Sequence, residues 1–160
     1  MLTGGYDGKL HVRDVKADVG ITISTPGDIE DASFHPTSKY HFAAAFEDSG
    51  VEFYDIRKAK SPVSRIKKLP VTALSFCKGY DGLLACGGKD GVVRILDTKE
   101  ELKIIESKKM GVGELFCLKC DNDLDKTIAT GGSEGQLAIW DLESSERVVQ
   151  HFGGGRGSSS

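Results

Sequence analysis

Apolar and polar residues alternate along this chain in short runs, and the runs return at a nearly fixed interval. Leu10 and Val12, Val51 and Phe53, Val93 and Ile95, and Leu137 and Ile139 stand two apart, with His11, Glu52, Arg94 and Ala138 between them. A period of two predicts strands with one buried face. Three residues ahead of each run stands an acid: Asp7, Asp48, Asp90 and Glu134. Gly8, Gly91 and Gly135 follow three of them, and Ser49 follows Asp48. An acid-glycine pair accepts the positive backbone angles of a tight hairpin, so a strand, a turn and a second strand are predicted four times over.

Seven residues after each turn acid comes an aspartate: Asp14, Asp55, Asp97 and, directly after Trp140, Asp141. These aspartates recur every 41 to 44 residues, in or near the roughly 40–45-residue period of four-stranded propeller blades. A small-residue pair precedes three turns, Gly4 and Gly5, Gly87 and Gly88, and Gly131 and Gly132, with Ala45 and Phe46 as the exception. Inner strands are expected around Phe34, Phe76 and Phe116, the last displaced by a longer acidic loop over residues 121–126. Outer strands are expected over residues 20–24, 62–66, 102–106 and 148–152. The expected fold is all-β, a partial β-propeller over residues 1–152. It comprises an incomplete blade (1–24) and three complete four-stranded antiparallel blades (25–67, 68–107 and 108–152), followed by a disordered Gly/Ser tail (153–160). Closed propellers typically use four to eight blades, so the expectation is a piece of a longer propeller whose remaining blades are supplied from elsewhere in its own full-length chain.

Hydrophobic residues make up 39% of the sequence, and no apolar run approaches the roughly 18 residues of a membrane span. A signal-peptide pattern is lacking at the start, so a non-secreted protein with no membrane partner is expected. The net charge of −3 argues against indiscriminate nucleic-acid binding. It leaves room for a local basic stretch, and Arg57, Lys58, Lys60, Arg65, Lys67 and Lys68 fall together without an intervening acid. That stretch, with Lys108 and Lys109 in support, is the candidate contact for RNA phosphates or an acidic partner. A solvated outer strand with its loops is the plainer reading of the same residues.

Cys117 and Cys120 form a Cys-x-x-Cys, yet no second ligand pair stands at zinc-site spacing. Residues three apart on a strand face opposite ways. All four cysteines are therefore expected to be thiols in a reducing compartment, with no metal and no cofactor. His11, His35, His41 and His151 are dispersed, and no nucleophile elbow or phosphate loop is legible. No catalytic residue is assigned, and the chain is not expected to be an enzyme.

Trp140 and Asp141, with Arg13 and Asp14, Tyr54 and Asp55, and Leu96 and Asp97 as weakened forms, resemble WD40 repeats. More narrowly, Met110, Gly111, Val112, Gly113, Leu115, Phe116 and Cys117, followed by Ala129, Gly131, Gly132, Trp140 and Asp141, resemble the last blade of the periodic tryptophan protein 1 family. Upstream segments (LTGGYDGKLHVRDV and ASFHP) extend the likeness over nearly the whole chain. The resemblance implies a non-catalytic scaffold of the nucleus and nucleolus, active in large-subunit ribosome assembly and pre-ribosomal RNA processing. Its implied partners are proteins of pre-ribosomal particles and ribosomal RNA. A generic WD40 adaptor that presents peptides or histone tails to a ubiquitin ligase or chromatin complex is the rival reading. The chain departs from many WD40 blades in having no Gly-His dipeptide, and Ala44 and Cys86 stand where Thr3 and Thr130 offer a hydroxyl. Sheet-to-sheet apolar contact, with turn acids fixing the hairpins, is therefore expected to hold the blades.

Overall fold

A computed structural model describes residues 1–121, 123 and 126–155, so part of the acidic loop over 121–126 and the tail beyond residue 155 lie outside the described residues. Among the described residues, fourteen strands form four antiparallel sheets. The first holds β1 (Leu2–Gly4), β2 (Lys9–Asp14) and β3 (Val19–Ser24). The second holds β4 (Ile29–Phe34), β5 (His41–Phe46), β6 (Gly50–Asp55) and β7 (Ser64–Ile66). The third holds β8 (Ala73–Phe76), β9 (Leu83–Gly87), β10 (Val92–Asp97) and β11 (Lys103–Lys109). The last holds β12 (Leu115–Cys120), β13 (Thr127–Gly132) and β14 (Leu137–Asp141), followed by the helix α1 (Glu146–Phe152). Strands are ordered in each sheet as they occur in the chain. Successive sheets meet at their inner strands, β1 on β4, β4 on β8 and β8 on β12. This is the expected succession of propeller blades.

Three apolar clusters lie one to each junction. Leu10, Val12 and Ile23 pack against Phe42, Phe46 and Tyr54 between the first two sheets. Val51 and Phe53 meet Leu74, Phe76, Leu84 and Leu96 at the second junction. Val93 and Ile95 meet Leu115, Leu118, Ile128 and Trp140 at the third. Side-chain hydrogen bonds stitch the inner strands: Leu74 N donates to Asp31 Oδ2 at 3.0 Å, and Cys120 N to Ser75 Oγ at 3.1 Å.

The repeated acids have distinct tasks. Asp7 Oδ1 accepts from Lys9 N and Asp90 Oδ1 from Val92 N, each at 3.2 Å, across the hairpin turn. The later aspartates close the opposite end of the blade. Asp14, Asp55, Asp97 and Asp141 each take the N–H two residues on, at 2.8 to 2.9 Å, which starts the turn toward the outer strand. Among the described residues no hydrogen bond links a histidine to a turn acid. Thr130 is buried and donates to Ala138 O, while Thr3 is exposed.

Four expectations are corrected. The outer strand expected over residues 148–152 is the helix α1, because Ser145 caps it by accepting from Val148 N, and Val148 and Phe152 fall one turn apart on the face that meets the third-junction core. The chain continues into a 3₁₀ turn, Gly153–Gly155, where tail was expected. Phe116 is not the counterpart of Phe34 and Phe76; it sits in a register shift between Leu115 and Cys117 and is 63% exposed. Cys120 takes that place, pairing with Ile128 as Phe76 pairs with Leu84. Nor are all four cysteines thiols. Cys77 and Cys120 stand at the ends of adjacent inner strands with Cα atoms 5.3 Å apart, and a disulfide joins them.

The outward sides of the two end sheets differ. The first shows Lys9, His11, Arg13, Thr22 and Ser24 to solvent. The last shows Phe116, Leu137 (71% exposed) and Ile139 (64%).

Candidate functional site

The hairpin turns and the loops between blades lie together at one end of the sheets, since Thr25 N donates to Gly8 O, Glu47 N to Asp28 O, Met110 N to Gly91 O and Ser133 N to Glu114 O. This end is called the turn face. The opposite end carries the aspartate-capped turns.

The structure divides the basic stretch between the two ends. Lys67 and Lys68 follow β7 on the turn face, beside the Asp48 hairpin. Arg57, Lys58 and Lys60 follow β6 at the far end. Six residues of β6 separate these groups, roughly 17 Å at about 3.4 Å per residue. One ligand group cannot touch both. Lys108 and Lys109 close β11 beside Val93 and Val92 and so belong to the turn face as well. Two lysine pairs thus rise from successive blades on either side of the Asp90 turn. Lys89, which sequence reasoning missed, stands between them and reaches Glu47 of the neighbouring hairpin at 3.6 Å. Its position just before a turn acid was the available signal.

Several of these cations are already engaged. Arg57 grips Asp55 through Nη2 at 2.6 Å and lies over the Tyr40 ring, 4.2 Å from its centroid. The hydrogen bond from Arg57 lowers Asp55 from 3.8 to about 2. Arg65 faces the buried Glu52 at 3.9 Å. Glu52 also accepts from the Tyr54 hydroxyl, and burial together with that bond raises the Tyr54 pKa. Lys108 Nζ sits 5.2 Å from the centre of the Trp140 ring, a cation–π contact. Arg65, Lys67 and Lys68 share a cleft of about 280 Å³ with Pro26, Asp48, Ser49 and Glu52. The cleft offers anion contacts, tempered by two carboxylates.

At the far end the dispersed histidines partly converge. His41 Nδ1 lies 2.6 Å from Ser38 Oγ, and its Nε2 lies 3.6 Å from Asp55 Oδ2. Hydroxyl, imidazole and carboxylate therefore line up, yet the last gap exceeds hydrogen-bond reach and Arg57 holds the carboxylate. His35 rests on Phe76, ring centres 5.0 Å apart, and burial lowers its pKa. Cys86 is fully buried, which pushes its thiol up to about 12, whereas Cys117 is exposed. The two sulfur positions of the Cys-x-x-Cys face opposite ways, and Cys120 is bonded to Cys77.

No family model matches the chain. It is 24% identical over 163 residues to the periodic tryptophan protein 1 homolog of Drosophila melanogaster, covering 96% of this chain and 35% of that protein. The likeness to histone acetyltransferase type B subunit 2 of Candida glabrata is 23% over 150 residues, 89% of this chain and 36% of that protein. U3 small nucleolar RNA-associated protein 15 of Saccharomyces cerevisiae matches at 26% over 135 residues, 74% of this chain and 25% of that protein. The chain thus spans little more than a third of these relatives at most. With the four antiparallel sheets, these likenesses fit the fold of part of a WD40-type propeller.

Proposed function

We propose that this chain is a non-catalytic scaffold of ribosome biogenesis, acting in large-subunit assembly and pre-ribosomal RNA processing in the nucleolus. The observation that carries the reading is the similarity to the periodic tryptophan protein 1 homolog over nearly the whole chain. A relative whose name associates it with a small nucleolar RNA supports it. The partners are proteins of pre-ribosomal particles, with ribosomal RNA touched through Lys67, Lys68, Lys108 and Lys109 on the turn face. Arg57, Lys58 and Lys60 belong to a separate surface and contribute to a second contact at most.

Rigidity is what such a platform contributes. Loops fixed by turn acids and held on packed sheets present charges at set distances, so a partner binds without ordering them first. The test is affinity purification of the tagged protein, followed by sequencing of the RNA and identification of the proteins recovered. Large-subunit precursors are the expected yield. Recovery of histones or ligase subunits instead would favour the adaptor reading, which the likeness to a histone acetyltransferase subunit keeps in view.

A further inference from the structure

We infer that Asp97, Glu100 and His151 form a binding site for a divalent first-row transition ion, zinc foremost, which staples α1 to the end of β10. Their donor atoms lie within 4.8 Å of one another. His151 Nε2 is 2.7 Å from Asp97 Oδ2 and 4.0 Å from Glu100 Oε1. Donors around a tetrahedral zinc with bonds of about 2.0–2.2 Å stand roughly 3.4 Å apart, so the observed separations bracket what the ion requires. One imidazole and two carboxylates suit zinc and its neighbours better than magnesium or calcium. A water would complete the set.

Three features go beyond proximity. First, each carboxylate is oriented from behind: Asp97 Oδ1 accepts from Lys99 N at 2.8 Å, and Glu100 Oε2 accepts from Lys103 Nζ at 3.3 Å. That leaves Oδ2 and Oε1 turned toward the imidazole, the support a metal ligand needs. Second, the equivalent Asp55 is neutralised by Arg57, two residues on, whereas Lys99 in the same place points away to Asp81 at 2.5 Å. Asp97 alone of this pair keeps an oxygen available to a ligand on another element. Third, His151 borders a cleft of about 370 Å³ that it shares with Lys103, Arg147 and Gln150, an access route for the ion and its water. The cations on that rim are themselves paired, Lys103 with Glu100 and Arg147 with Glu106.

The experiment is calorimetric titration of the chelator-stripped chain with zinc chloride, with magnesium chloride as control, beside thermal unfolding with and without zinc. One zinc should bind per chain and raise the unfolding temperature, while magnesium does neither. Glu100→Gln leaves the His151 to Asp97 hydrogen bond intact and should keep the wild-type circular dichroism. It should nevertheless weaken zinc at least about tenfold, the least loss seen on removing even an outer partner of a ligand. His151→Gln should abolish binding. No heat above dilution in the native chain overturns the proposal. Equal zinc affinity in Glu100→Gln does so too, because the ion would then sit elsewhere, on Cys117 or on His35 and His41.

Discussion

Gly88 offers the sharpest test of how the blades are held. A Cβ placed there would fall inside the van der Waals radius of the Pro70 carbonyl oxygen, and it would lie 2.9 Å from Val71 Cα. These are backbone atoms of the loop that joins the second and third blades, so no side chain can swing aside. Gly88 O also accepts from Leu115 N at 3.0 Å, which ties the same point to the last blade. Overpacking of this kind costs about 1–3 kcal/mol, and a strained backbone hydrogen bond adds about 1 kcal/mol. Gly88→Ala should therefore destabilise the chain by about 2–4 kcal/mol. Gly5 holds the same place in the first blade, where a Cβ would meet only Asp7 Oδ1, at an ordinary 3.6 Å. Gly5→Ala should stay within about 0.5 kcal/mol of the parent. Urea titration followed by the fluorescence of the single Trp140, which is 3% exposed, reads both. At a slope near 2 kcal/mol/M the Gly88 variant should lose roughly 1–2 M in midpoint. Equal midpoints for the two variants would refute the claim that this loop bears on the strand end.

Other consequences can be measured separately. Replacing Lys67 and Lys68 by glutamate should weaken RNA binding uniformly across sequences and flatten its salt dependence by about one unit of slope per lost contact; fluorescence anisotropy over a salt series decides, and an unchanged slope makes the pair plain solvated surface. Asp55, held low by Arg57, adds stability that is fully present above pH 3.8 and is lost as the pH falls through about 2. Arg57→Met should accordingly lower the urea midpoint more at pH 6 than near pH 2, where the Tyr40 contact and the remaining ionised fraction of Asp55 are all that is lost. Iodoacetamide should label Cys117 in the folded chain and reach Cys86 only on unfolding, which mass spectrometry of timed digests will show.

The parts of this fold that were legible in the sequence are those whose physics is local. An acid and a glycine make a hairpin wherever they stand, and an aspartate two residues before an N–H caps a turn, so Asp7, Asp90 and the four strand-end aspartates announced themselves. The helix α1 did not, because Val148, Val149 and Phe152 suit a buried strand as well as a helical face; Ser145 and the docking of Val148 onto the third-junction core decide. Phe116 misled because an aromatic was expected at the strand end; Phe34 and Phe76 stand 14 residues before Asp48 and Asp90, and the same spacing before Glu134 falls on Cys120. The basic stretch read as one patch since sequence distance hides direction: β7 reverses the chain and carries Lys67 and Lys68 to the other end from Arg57. The meeting of Asp97 with His151, from separate blades, lay beyond any motif.

The unlike outer sides of the two end sheets give the arc a polarity. Hydroxyls and charges on the first side keep water, so a newcomer sheet gains little there. On the last side, Leu137 and Ile139 reward contact at about 25 cal/mol per Å² covered. Growth, whether by legitimate docking or by precipitation during expression, should therefore proceed from one flank alone, and a lysine at position 139 should act as its brake.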